Sequence, residues 1–173
     1  MKKNSMNKFF VFLFLLIFMP LANAAVFDHE MKLEEISKKL PELASTKCKF
    51  KQEKIMSGMV LKSSGDFTFE KNKGVTFYTN YPIQSTTSYT SRDYRQINNV
   101  ITAISSKSYA KLEKDFRFFY EGNEKTWTLA LLPKTGSKAF DYLKSIEISG
   151  DGAKITKIII LACDKTQTTI WFI

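Results

Sequence analysis

Histidine is almost absent from this chain, and the residues that build common reaction centres are few. The 173 residues contain one histidine, His29, two cysteines, no phosphate-binding glycine loop and no Cys-x-x-Cys pair. A lone histidine cannot form a metal cluster or a histidine-based catalytic pair within one chain. A nucleophile such as Ser64 would therefore lack its base. Catalysis by carboxylates alone stays open, but we expect no enzyme, no metal and no cofactor.

Only one long apolar run occurs, and it lies at the N-terminus. It extends unbroken from Phe9 to Met19, with three lysines before it and the small-residue sequence Ala22-Asn23-Ala24 after it. This arrangement predicts a secretory signal peptide over residues 1–24, cleaved near Ala24. An uncleaved membrane anchor is the alternative. We expect residues 25–173 to form a single exported domain in the periplasm.

The charge of the chain is basic but scattered. Loss of residues 1–24, which include three lysines and no acidic residue, lowers the formal net charge from +9 to +6. A basic exported protein is expected to meet anionic membranes or acidic proteins. Nucleic acid is not an expected partner, and we expect a monomer.

The two cysteines, Cys48 and Cys163, stand near opposite ends of the predicted domain. Export would permit a disulfide between them, and a bridge closing so long a loop stabilises a fold by about 2–4 kcal/mol. Two small buried residues that never meet are the alternative. The sequence leaves both interpretations open.

The clearest pattern lies between Phe50 and Pro82. Phe67 and Phe69 alternate with polar residues, Lys71-Asn72-Lys73-Gly74 follows, and then Val75 and Phe77 continue the alternation. Alternation with a period of two residues across a glycine-bearing turn predicts a β-hairpin with one apolar face.

Two segments show the period of an amphipathic helix. The first is residues 28–44, with Asp28 as N-cap and Pro41 as a kink or end. The second is residues 108–120, closed by Gly122. Their apolar stripes contain Leu33, Ile36, Leu40 and Leu43 in the first, and Tyr109, Leu112, Phe116 and Phe119 in the second.

The rest of the chain is predicted to be mainly strand. The architecture that follows is α+β and mainly β: a strongly curved antiparallel sheet of nine to eleven strands, with two helices covering its aromatic face. We expect the apolar end Trp171-Phe172-Ile173 to be paired, or the chain to be shorter than related ones. The predicted strands are Lys47–Lys54, Gln84–Thr90, a hairpin of Tyr94–Gln96 and Val100–Ile104 about Asn98-Asn99, Thr126–Leu132, one at Ile146 and Ile148, Ile155–Ala162 and Gln167–Ile173; Ile55–Leu61 is a looser apolar patch, and residues 135–143 hold a short helix capped by Ser137.

The apolar face of these strands has two interpretations. It is either a cavity that binds acyl chains, each buried CH₂ contributing about 0.8 kcal/mol, or a closed core. Fifteen phenylalanines and six methionines make it broad and oily. Residue parity places the same set on it in either case: Phe50, Phe67, Phe69, Val75, Phe77, Trp127, Leu129 and Leu131, with Phe116 and Phe119 pressing from the second helix.

Several short motifs together resemble the outer-membrane lipoprotein carrier (LolA-like) family. They are Phe50-Lys51-Gln52, Ser64-Gly65-Asp66-Phe67, Gly74-Val75-Thr76-Phe77, Tyr81-Pro82, residues 129–134 and Asp164-Lys165-Thr166. The resemblance implies an unclosed β-barrel whose helical lid covers a hydrophobic cavity. It also implies a periplasmic shuttle that takes acylated lipoproteins from an inner-membrane transporter to an outer-membrane acceptor.

The chain departs from that family at the residues that hold the lid. An Arg-Pro pair commonly follows the first hairpin strand, whereas Lys71-Asn72 stands here, and lysine lacks the planar fork of arginine. The resemblance assigns Leu112, Phe116, Phe119 and Lys71 to the lid. The cargo is accordingly a lipoprotein or another lipid-linked product. A sensor or interaction domain with this fold and no transport role is the alternative.

Overall fold

The computed structural model describes residues 25–71, 73–88, 95–106, 109–123 and 125–173. The predicted signal peptide therefore lies outside the described residues. No helix in the described part is long and apolar enough to cross a membrane. The strands are β1 (Thr46–Met56), β2 (Met59–Glu70), β3 (Gly74–Tyr81), β4 (Ser85–Ser88), β5 (Phe116–Gly122), β6 (Thr126–Pro133), β7 (Leu143–Asp151), β8 (Lys154–Ala162) and β9 (Gln167–Phe172).

These strands form one antiparallel sheet in the order β4-β3-β2-β1-β9-β8-β7-β6-β5. The sheet does not close, because β4 and β5 stand at its two ends. The prediction of a mainly β, unclosed antiparallel sheet is confirmed. The C-terminal strand β9 lies between β1 and β8, so the apolar end of the chain is paired.

The central hairpin matches its prediction. Phe67 and Phe69 of β2 pair with Phe77 and Val75 of β3, and all four side chains are buried. Gly74 begins β3 at φ 81°, a conformation that glycine adopts without strain. The apolar patch after the first strand is a second hairpin, since Ser57 and Gly58 alone connect β1 to β2.

The first helix is shorter than predicted. Helix α1 covers Leu33–Lys39, and Asp28 does not cap it, since that residue ends a separate 3₁₀ helix, Ala25–Asp28. Pro41 lies just beyond the helix end, because a proline cannot continue the backbone hydrogen bonds. The predicted stripe is nevertheless buried in full: Leu33, Ile36, Leu40 and Leu43.

The predicted hairpin about Asn98-Asn99 is wrong. Residues Arg95–Ser106 form helix α2, in which Val100, Ile101 and Ile104 are buried at spacings of three and four residues. Asn98 lies within the helix, and its side-chain oxygen accepts a hydrogen bond from the Val75 amide at 3.2 Å.

The second predicted helix is only partly correct. Helix α3 covers Ala110–Asp115, and the aromatic segment that follows is strand β5. Phe116 and Phe119 therefore lie in the sheet and not on a lid helix. Each residue of this segment pairs with a residue of β6, which fixes the strand conformation. The run of aromatic residues also favours a strand.

The free edge of β5 is partly covered by the chain before α1. The Met31 amide donates to the Phe118 carbonyl at 3.0 Å, and the Tyr120 amide donates to the His29 carbonyl at 3.1 Å. Coverage of this kind blocks edge-to-edge association of sheets. A further short 3₁₀ helix, Lys138–Asp141, follows Ser137 as predicted, although no side-chain hydrogen bond caps it.

Of the two interpretations of the cysteines, the structure favours two residues that do not meet, since both are free. Cys48 lies near one end of β1, where the neighbouring Lys49 bonds to Ile173. Cys163 follows Leu161 by two residues. Leu161 pairs with Gln167 of β9, and Gln167 pairs in turn with Ile55 of β1. Seven residues of strand therefore separate the two levels, roughly 23 Å at about 3.3 Å per residue, whereas a disulfide requires Cα atoms within about 7 Å.

Candidate binding face of the sheet

One face of the sheet carries apolar side chains on every strand except the edge strand β4. We call it the inner face and define it by Phe67, Phe50 and the residues in register with them. A single row crosses five adjacent strands as Ile170, Ile158, Ile148, Leu129 and Tyr120. All eight residues predicted from parity to line this face lie on it, each no more than 3% exposed: Phe50, Phe67, Phe69, Val75, Phe77, Trp127, Leu129 and Leu131.

Four phenylalanine rings form the centre of the inner face. Phe77 packs edge-on against Phe50 at 5.1 Å between ring centroids and tilted against Phe67 at 5.0 Å. Phe172 contacts Phe67 at 4.5 Å and Phe77 at 6.5 Å. Sequence reasoning missed Phe172, although its position two residues after the apolar Ile170 carries the same parity signal.

Trp127 has the most specific surroundings on this face. Its indole N–H donates to the Gly152 carbonyl at 3.0 Å, so the polar edge of the ring is satisfied. A Cβ atom at Gly150, its partner on β7, would lie 2.1 Å from the ring. Glycine at that position is therefore a requirement of the tryptophan.

The three helices pack on the inner face. Buried residues of each belong to the same hydrophobic cluster as the sheet residues. The residues of α2 were missed because that segment was predicted to be a hairpin. The helical contributors are Leu33, Ile36, Val100, Ile101, Ala103, Ile104 and Leu112.

A narrow crevice reaches the inner face beside Cys48. Its walls include Leu43, Phe67, Phe69 and Ile155, and its free volume is about 20 Å³. That volume accommodates about one water molecule, so this opening admits no acyl chain as it stands. Burial raises the pKa of the Cys48 thiol, and Lys154 partly opposes the shift.

Lys71 bridges the two sides of this crevice. Its ammonium group pairs with Glu42, in the connection between α1 and β1, and its amide donates to the Ser45 hydroxyl at 3.4 Å. The same connection is bonded to the β7–β8 turn through the Ala44 amide and the Ala153 carbonyl at 3.1 Å. The lysine thus contacts the segment that carries α1, although both partners are exposed.

A larger groove lies at the β5 edge of the sheet. Its volume is about 270 Å³, just below the range of about 300–1,000 Å³ that is usual for small-molecule pockets. Buried Leu33, Phe116 and Phe118 line it, together with half-buried Met31. All three buried residues also belong to the inner-face cluster, so the floor of the groove is formed by the edge of that cluster.

Charged groups surround this groove. Arg117 binds Glu30 through two hydrogen bonds, Nε to Oε1 at 2.9 Å and Nη2 to Oε2 at 2.5 Å. This bond lowers the pKa of Glu30 and raises that of Arg117. Lys134 donates to the Glu113 carbonyl at 2.6 Å. The rim of the groove therefore carries groups of both charges, and its floor is apolar.

Two tyrosine hydroxyls of the cluster, those of Tyr109 and Tyr120, are buried and have no hydrogen-bond partner among the residues that the structure describes. Their side chains are 7% and 3% exposed, and burial raises the pKa of both. A buried hydroxyl without a partner is costly.

The residues predicted for the lid have different fates. Leu112 lies on α3 in the cluster, as predicted, and Phe116 lines the groove from β5. Phe119 is on the opposite face of the sheet, which we call the outer face, where it packs with Val26 and Ala130. Strand alternation explains the difference, because Phe118 and Tyr120 occupy the inner positions.

The chain was compared with protein-family models and with curated proteins, and neither comparison returned a match.

Proposed function

We propose that the protein is a periplasmic carrier that binds the acyl chains of lipoproteins or other lipid-linked cargo against the inner face. The observation that carries this proposal is the groove at β5, whose floor is formed by buried residues of the extended inner-face cluster. The motifs that resemble the outer-membrane lipoprotein carrier family support the same function. Shuttling between an inner-membrane transporter and an outer-membrane acceptor belongs to the proposal by that resemblance.

Acyl chains enter through the groove and displace the helices from the sheet. The groove has a volume of about 270 Å³, which suits the first part of one chain. Further binding therefore requires α1 and α3 to move outward while the sheet stays intact. Helix-to-sheet packing through apolar side chains suits such motion, since acyl chains replace one apolar contact by another.

The buried tyrosines supply polar contacts inside this apolar site. We assign the Tyr109 and Tyr120 hydroxyls to the ester or amide carbonyls that join acyl chains to their head group. Binding of cargo would then satisfy groups that are unpaired in the unloaded protein. Buried hydroxyls without a partner are uncommon in protein cores, which supports this assignment.

The direct test is displacement of a fluorescent fatty-acyl probe. A triacylated peptide should displace the probe, and the same peptide without acyl chains should not. Met31→Trp fills the groove mouth and should slow uptake by at least about tenfold, equivalent to about 1.4 kcal/mol in the barrier. Met59→Trp, a methionine outside the groove, is the matched control. Equal uptake by both variants would exclude entry through the groove. Equal displacement of the probe by the acylated and the unacylated peptide would exclude the proposed cargo.

Tyr120→Phe tests the polar contact. Removing an unpaired buried hydroxyl should leave the free energy of unfolding unchanged or raise it by about 1 kcal/mol. The same change should weaken binding of an ester-linked diacyl ligand more than binding of a plain hydrocarbon. If Tyr120→Phe destabilises the unloaded protein by more than about 1 kcal/mol, the hydroxyl has an internal partner and this assignment is wrong.

A further inference from the structure

The exposed apolar side chains are concentrated at one end of the sheet. Ten large apolar residues are exposed in the described parts of the chain, and six of them lie at this end. The β1–β2 turn, the start of β7 and the β8–β9 turn share this end by register. The six residues there are Ile55, Met59, Val60, Leu61, Phe140 and Tyr142.

The β1–β2 hairpin is the most apolar part of this end. We define the tip as residues 54–62, which contain Lys54 and Lys62 at its base and no acidic residue. Ile55, Met59, Val60 and Leu61 are 42%, 56%, 51% and 52% exposed. Four half-exposed apolar side chains in seven residues form a concentrated patch on a basic chain.

The tip is apolar on both faces of the hairpin. Ile55 pairs with Val60, and these two point to the outer face. Met59 and Leu61 have the opposite parity and point to the inner side. A protein that docks on a sheet face covers one side of it, whereas a lipid layer surrounds both sides of an inserted hairpin.

The dimensions of the tip match shallow insertion. Beyond the Lys54–Leu61 pair, two residues of strand and the turn extend about 7–10 Å at about 3.4 Å per residue. Interfacial segments typically penetrate by about 5–10 Å. Lys54 would then lie at the head-group level, where its ammonium group meets lipid phosphates. Lys62 lies beside it and is paired with Glu53 at 3.2 Å.

We infer that the tip inserts into the surface of anionic lipid bilayers and places this end of the sheet against the membrane. The inference does not depend on cargo binding, since it concerns side chains outside the inner-face cluster. Apolar burial provides most of the attraction, and the basic charge provides the preference for anionic lipid.

The test is co-sedimentation of the full chain with vesicles that contain phosphatidylglycerol. The triple variant Met59→Thr/Val60→Thr/Leu61→Thr keeps residues that favour strands, and it should lower the partition coefficient by at least about tenfold. Tyr78→Thr removes an exposed aromatic residue from mid-strand and should change the coefficient by less than about twofold. Because all these proteins share the same N-terminal residues, the difference reports on the tip alone.

A second measurement covers the case in which the triple variant folds poorly. In Val60→Trp, the fluorescence of the added tryptophan should be quenched by vesicles whose lipids are brominated near the head group. The same fluorescence should not be quenched in buffer without lipid. Absence of vesicle binding by the unaltered protein, equal binding by the triple variant, or no quenching of Val60→Trp would each overturn the inference. Crosslinking of the tip to an envelope protein while vesicles stay unbound would do the same. Uptake of the acyl probe from solution is measured without vesicles, so a failed carrier proposal is distinguishable.

Discussion

The substitution Phe77→Ala tests whether the inner face is packed as described. Phe77 is 1% exposed and contacts the rings of Phe50, Phe67 and Phe172. Truncation of a buried phenylalanine costs about 3–5 kcal/mol, because apolar contact is lost and a cavity remains. Loss of ring pairs worth about 0.5–1.5 kcal/mol each places Phe77 toward the upper part of that range.

The expected result is a large fall in stability with an unchanged fold. At about 2–4 °C per kcal/mol for a domain of this size, the melting midpoint should fall by roughly 6–20 °C. Urea titration should give a lower midpoint concentration and an unchanged slope. Phe140→Ala is the matched control, since Phe140 is 48% exposed, and it should cost less than about 1 kcal/mol.

A ligand measurement on the same variant separates a core from a binding site. An acyl chain can occupy the space that Phe77 leaves, so the ligand should raise the melting midpoint of Phe77→Ala at least as much as that of the unaltered protein. A cost below about 1 kcal/mol would refute the packing of the four rings. A normal cost with no ligand effect on either protein would indicate a closed core.

Three further predictions follow from single groups. Lys71→Gln removes the contact with Glu42. It should lower the free energy of unfolding by less than about 1 kcal/mol and increase the rate of acyl-probe uptake. An unchanged uptake rate would show that Lys71 does not restrain the segment that carries α1. Glu147 on the outer face is buried, and burial raises the pKa of its carboxyl group above the usual value near 4.5. The folded state therefore binds a proton at this group more tightly than the unfolded state does. As a result, the free energy of unfolding falls as pH rises from about 4.5. Glu147→Gln should therefore stabilise the protein at neutral pH in urea titrations and remove that slope. Thiol labelling under denaturing, non-reducing conditions should modify both Cys48 and Cys163, and a protein without free thiols would contradict the strand order.

Strands were predictable where one alternating pattern excluded the others. The hairpin of β2 and β3 was identified because residues two apart are apolar and those between them are polar. In β6 the same spacing joins Trp127, Leu129 and Leu131, although the apolar Ala130 lies between two of them. Spacing fixes the face in such segments, and the eight residues predicted to share one face lie together on the inner face.

The errors arose where two periods fit the same letters. Phe116 and Phe119 are three apart, as on a helix, while Phe116, Phe118 and Tyr120 alternate as in a strand; only pairing with β6 decides between them. In α2, the pair Asn98-Asn99 resembled a turn and hid the helical spacing of Val100 and Ile104. The sequence could not decide between a bridge and two separate cysteines, because strand order is a property of the whole sheet, and β9 lies between β1 and β8.

The groove and the tip lie at the same end of the sheet. One register row runs from Phe118 in the groove through Leu131, Ile146, Ile160 and Thr168 to Lys54 and Leu61 at the tip. Six strand spacings of about 4.8 Å separate its ends, roughly 29 Å along the sheet. A membrane held by the tip would therefore lie beside the groove mouth.

This arrangement predicts coupling between membrane contact and acyl transfer. The triple tip variant should take up a fluorescent acyl probe from solution at the normal rate, because the groove is unchanged. Its uptake from phosphatidylglycerol vesicles should be slower by about the factor by which vesicle binding falls, since fewer groove mouths are near the lipid. Met31→Trp should slow uptake from both sources. Equal slowing of the tip variant in both assays would show that the tip acts on the groove and not through the membrane.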